Sequence, residues 1–142
     1  MSRPAVRFHS AEEVAAALSL TGPGGVTLLS APGAAAWPGA RVVAAMVARG
    51  AAGWPGVPHE AVLDCGSAPG LALDAIRQGW RRVILDPALP AFDQVAAAGA
   101  TVGAVVLGQV PVALELRRID LRRPGGKALL ARWLAGKGVS LA

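Results

Sequence analysis

Residues 57–66, Val-Pro-His-Glu-Ala-Val-Leu-Asp-Cys-Gly, constrain the fold more than any other stretch of this chain. They read as a short buried strand that ends in an acid, a thiol and a glycine. A helix pattern follows at once, and then a second strand, Arg82-Val83-Ile84-Leu85-Asp86, ends in another acid. A strand, a helix and a second strand in such quick succession form a βαβ unit, whose right-handed crossover delivers both strand ends to one edge of a sheet. Asp64 and Asp86 are therefore expected on a shared edge.

The same alternation runs through the chain. Ala5–Phe8 reads as a first strand, and Ser10 with Glu13 has capping-box spacing for a helix reaching about Leu20. Val26–Ser30 is a strand apolar on both faces, as parallel strands are, followed by a turn at Ala31–Ala34. Pro38 suits the first turn of a helix with the stripe Val42, Val43, Met46 and Val47, ending at Gly50. Ser67 and Pro69 open a helix buried through Leu71, Leu73, Ala75 and Ile76 and closed at Gly79; Phe92–Ala98 is a short helix closed by Gly99. Thr101–Leu107 is a further strand, and alternation at Val112, Leu114 and Leu116 suggests one more at an edge. Pro124-Gly125-Gly126 breaks the pattern before a last amphipathic helix, Lys127–Ala135. The expected fold is α/β: a parallel sheet of about five strands with alternating helices, half a TIM barrel in style, with a flavodoxin-like three-layer sandwich as the alternative. One domain is expected over 1–142, with regular βα units to residue 108 and a divergent basic segment at 109–142.

Composition removes several classes. A chain that is 54% hydrophobic and 16% charged is too apolar to stay disordered. Its longest apolar run, residues 101–114, is too short to span a bilayer, so no membrane role is expected. Charged residues occupy the start of the chain where a signal peptide would be apolar, and Cys65 alone makes no disulfide framework, which points to the cytoplasm. The net charge of +5 is uneven: residues 1–114 carry seven basic and seven acidic side chains, whereas 115–142 carry seven basic against two acidic. Arg117, Arg118, Arg122, Arg123 and Lys127 form the densest part of that excess, a solvated surface or a patch for an acidic partner or nucleic acid. Trp133 is the only aromatic among the seven, and its helical spacing says core, so stacking on bases is poorly supported.

Few residues carry chemistry. Asp64 reads either as a proton donor, or ligand shared with another chain, or as the cap of the helix after it. Cys65 reads as a metal ligand, a reactive thiol or a small core residue. Asp86 is a turn residue ahead of Pro87 or a ligand-binding acid. Ser30 to Gly33 can offer backbone N–H groups to a phosphate but lacks the longer glycine spacing of phosphate loops. His9 and His59 read as satisfied histidines, and two histidines support no triad. A Schiff-base lysine is unsupported because Lys127 and Lys137 lie in the basic segment.

Across residues 5–108 the chain resembles the N-terminal half of class II, metal-dependent fructose- and tagatose-bisphosphate aldolases. The resemblance lies in Pro58 with Val62-Leu63-Asp64-Cys65, in Gln78-Gly79-Trp80, and in Val83-Ile84-Leu85-Asp86-Pro87-Ala88 followed by Pro90 and Phe92. Upstream, Ser30-Ala31-Pro32-Gly33-Ala34 is similar to the Thr-Pro-Gly-Thr turn of the tagatose branch, and Val6-Arg7-Phe8-His9-Ser10 to its first strand. The resemblance implies half a barrel and places Asp64 on the family's proton-donating aspartate. It also implies a lost metal site. The histidine following that aspartate is Cys65 here, the one two positions before it is Val62, and the family's other metal histidines lie in a half this chain lacks.

No cofactor is expected on this reading, and zinc only if another chain completes its ligands, because a zinc site needs three or more. Half a barrel also leaves open the sheet face that a full barrel would close, so a homo-oligomer burying that face is expected. Two functions follow. One is a non-catalytic, aldolase-derived protein with a structural, binding or regulatory role. The other is a lyase-type enzyme with an inter-subunit site for a small phosphorylated or carbonyl substrate.

Overall fold

The computed structural model describes residues 3–137. It is an α/β fold in which six parallel strands pair in the order β5-β4-β3-β2-β1-β6. The strands are β1 (Ala5–Arg7), β2 (Val26–Leu29), β3 (His59–Asp64), β4 (Arg82–Ile84), β5 (Val105–Leu107) and β6 (Ala113–Glu115). The helices are α1 (Ala11–Ser19), α2 (Ala40–Ala51), α3 (Pro69–Arg77), α4 (Phe92–Ala100) and α5 (Pro124–Leu134). β1 to β5 follow chain order, the order of a barrel segment; only β6 departs from it, beside β1. No helix among the described residues is long and apolar enough to cross a membrane.

The described residues cluster into two compact units. The first comprises 3–29, 46–60 and 112–137. Here β1 runs between β2 and β6, with Val6 level with Leu28 on one side and Leu114 on the other, all buried. Ser10 caps α1, its hydroxyl accepting the Glu13 N–H at 3.2 Å. Glu13 reaches back one residue further than a capping box predicts, taking the His9 N–H at 2.6 Å. Gly50 is buried inside α2 rather than ending it. A Cβ there would stand 2.5 Å from the Val14 Cβ, so glycine is what lets the last turn of α2 lie on α1. The segment after residue 108 supplies β6 and α5. Pro124 opens α5 as its first helical residue instead of breaking the pattern, and Trp133 Nε1 donates to the Ala5 carbonyl at 2.7 Å.

The second unit comprises 30–45 and 61–111. β4 lies between β3 and β5, pairing Leu63 with Val83 and Val83 with Val106. Its core is Val62, Leu63, Ala72, Ala75, Val83, Leu85 and Val95, with Trp80 buried and donating to the Ala40 carbonyl at 3.2 Å. Several local expectations are corrected here. Pro38 lies ahead of α2, in a wide turn where Trp37 is extended and the Trp37–Pro38 peptide bond is cis. Val42 faces outward at 45% exposure while Val43 is buried. Ser67 makes no cap: Ala68 precedes α3, with Pro69 as the first helical residue. Leu71 and Leu73 are only half-buried. Gly99 is buried within α4, which continues to Ala100. Residues 101–103 turn back by N–H bonds from Val102 to Gly99 and from Gly103 to Ala100, so β5 begins only at Val105.

Candidate functional site

In the second unit, the loops after β2, β3 and β4 meet at the C-terminal edge of the sheet. Ser30 is buried, and its hydroxyl accepts the Asp64 N–H at 2.9 Å. Asp64, also buried, accepts the Gly66 N–H on Oδ1 at 2.9 Å, so its carboxylate closes the turn that follows its own strand. The Gly66 carbonyl then accepts the Asp86 N–H at 2.8 Å. Asp86 repeats the motif at the surface, its Oδ1 taking the Ala88 N–H at 2.9 Å. Gly33 and Gly66 both hold positive φ, 63° and 56°, and a Cβ on Gly66 would stand 3.9 Å from the Gly33 Cα. The two loops thus approach at positions only glycine takes without strain. Ser30, Gly33, Asp64, Cys65 and Asp86, singled out from sequence, are in this way drawn into one neighbourhood.

Cys65 turns inward. It is 2% exposed, its Sγ lies 3.8 Å from the Leu63 carbonyl, and its N–H donates to the Ile84 carbonyl at 2.8 Å. Burial, and secondarily the Asp64 charge, pushes the thiol up to about 12. A thiol so held is protonated at neutral pH, whereas metal ligation and nucleophilic attack both need the thiolate. Among the described residues no three of His, Cys, Asp and Glu converge so as to hold a metal ion. The described residues of a single chain do not fit the zinc site of the aldolases that the sequence resembles.

The first unit carries a polar cluster that sequence reasoning missed. His9 Nε2 lies 2.6 Å from Glu115 Oε1, and the same oxygen accepts the Arg117 N–H at 3.1 Å. His9 and Glu115 are 106 residues apart. Only the pairing of β1 with β6, which sets Arg7 level with Glu115, reveals them as neighbours. His59 is satisfied locally, its Nδ1 3.0 Å from the Val57 carbonyl.

Arg117, Arg118, Arg122, Arg123 and Lys127 are all exposed. They are not equivalent. Asp120 holds Arg122 Nε at 3.1 Å and Arg123 Nε at 3.3 Å. The hydrogen bonds from Arg122, side chain first and then backbone, lower the Asp120 pKa, and Asp120 in turn raises that of Arg122. Arg117 and Arg118 make no ion pair among the described residues and face α1 across an open groove. No protein-family model matches the chain, and no curated protein matches it.

Proposed function

We propose that this chain is a non-catalytic α/β protein of aldolase-like ancestry that acts through binding, in a structural or regulatory role, as a homo-oligomer. One observation carries this reading: Asp64, at the end of β3, and Asp86, in the loop two residues past β4, each accept an N–H of their own loop. Asp64 holds the Gly66 N–H, Asp86 holds the Ala88 N–H, and the thiol between them is buried and protonated. A general acid or base must instead meet a substrate proton at hydrogen-bonding distance. Self-association is supported by apolar side chains left at the surface of the second unit, with Trp37 at 83% exposure and Val102, Val105 and Val110 near half. A cytoplasmic setting is supported by the single buried, unpaired cysteine.

The test is metal analysis of purified protein alongside Cys65→Ser and Asp64→Asn. Substoichiometric metal, unchanged in both variants, is the expected result. One zinc per chain that is lost in Cys65→Ser would favour instead the lyase-type enzyme with an inter-subunit site.

A further inference from the structure

In the first unit, a groove of about 650 Å³ separates α1 from the segment 117–122. One wall is acidic, with Glu12 and Glu13. The other carries Arg117 and Arg118, and each side adds apolar lining, Ala16 on α1 and Ile119 and Leu121 on the facing segment. Glu13 is bound to the His9 N–H, and Asp120 is bound to Arg122 and Arg123. Glu12, Arg117 and Arg118 remain, exposed and in no ion pair among the described residues. Opposite charges that line one groove without touching leave room for a ligand that carries both signs.

We propose that this groove binds a small zwitterion, an α-amino acid with an apolar side chain. The arginines receive its carboxylate, Glu12 receives its ammonium group, and Ile119, Leu121 and Ala16 take the side chain. Arginine suits the first task because its planar fork matches a carboxylate. The backbone that carries Arg117 is anchored, since Glu115, paired with His9, accepts the Arg117 backbone N–H. A polyanion fits this groove less well: a phosphate backbone lying on the arginines would meet Glu12 and Glu13 across the gap, and like charges repel.

The experiment titrates the full chain with L-leucine, following amide shifts by NMR, and repeats it with 4-methylpentanoate, which lacks the ammonium, and isopentylamine, which lacks the carboxylate. Saturable leucine binding mapped to 12–16 and 117–122 is expected, with each singly charged analogue at least tenfold weaker. Glu12→Gln should bind leucine no better than it binds 4-methylpentanoate, and Arg117→Ala/Arg118→Ala should lose leucine. These side chains are exposed, and unchanged spectra elsewhere would verify the fold. Equal affinity for leucine and 4-methylpentanoate would overturn the proposal in favour of a simple anion site. No shift at millimolar leucine, or tighter binding of a single-stranded oligonucleotide abolished by the arginine substitutions, would overturn it as well. None of these outcomes depends on whether Asp64 is catalytic.

Discussion

Ser30 and Asp64 show how much a strand end can depend on one hydroxyl. Ser30, itself buried, satisfies the N–H of the buried Asp64. Ser30→Ala should therefore cost about 1–3 kcal/mol, the penalty for a buried donor left without a partner, read as a shift in urea midpoint at constant slope. Cys65 offers a pH test. Its thiol is raised from 9.0 to about 12 in the folded state, so the folded chain holds a proton that the unfolded chain releases first. The associated stability is complete below pH 9 and declines as pH rises from there toward 12. Cys65→Ala should flatten that alkaline decline relative to the parent, and the native thiol should resist iodoacetamide until denaturant is added. Asp64 at a strand end was legible from sequence, as a pattern of apolar run then acid. What its carboxylate does was not, because Asp64-Cys65-Gly66 is compatible with both a reactive acid and a turn closed by its own side chain.

At the scale of elements, the long, strongly patterned segments were readable and their ends were not. β3, α3 with Gly79 past its end, and the Ser10 cap follow from local chemistry. Gly50 and Gly99 looked like helix stops, yet both are buried within helices, Gly50 chosen by a neighbour that local sequence does not display. Pro124 looked like a breaker because proline both ends and begins helices; the capless Arg123 before it carries no Ser, Thr, Asp or Asn to announce a start. Gly50→Ala should cost about 1–3 kcal/mol or more through overpacking against Val14, where an ordinary helical Gly→Ala change would stabilise. Trp133→Phe keeps a six-membered aromatic ring but removes the donor to the Ala5 carbonyl together with the rest of the indole, and should cost about 1 kcal/mol or more with faster hydrogen exchange in α5. The His9–Glu115 contact was beyond reach of pattern reading, since it exists only once β6 is laid beside β1.

At the scale of the whole molecule, the parallel α/β class was legible from strand–helix alternation alone. The sixth strand was anticipated only as an edge candidate, and its place beside β1 rather than next in sequence order was not. An edge strand with exposed Val105 and half-buried Val106 and Leu107 carries none of the charged or proline residues that usually blunt such edges. Val105→Lys should shift the chain toward monomer in light scattering if that edge joins copies. Under the proposed function, ancestry and activity separate at this scale as well: the sequence keeps its resemblance to aldolases, while Asp64 and Asp86 each accept an N–H of their own loop and Cys65 is buried. The most direct test of that separation is exchange of the α-protons of dihydroxyacetone phosphate in D2O with zinc supplied, the half-reaction that the fructose- and tagatose-bisphosphate aldolases resembled by the sequence perform. A non-catalytic chain should show exchange at the rate of the Asp64→Asn variant and of buffer with zinc alone; exchange well above both, and lost in Asp64→Asn, would contradict that role.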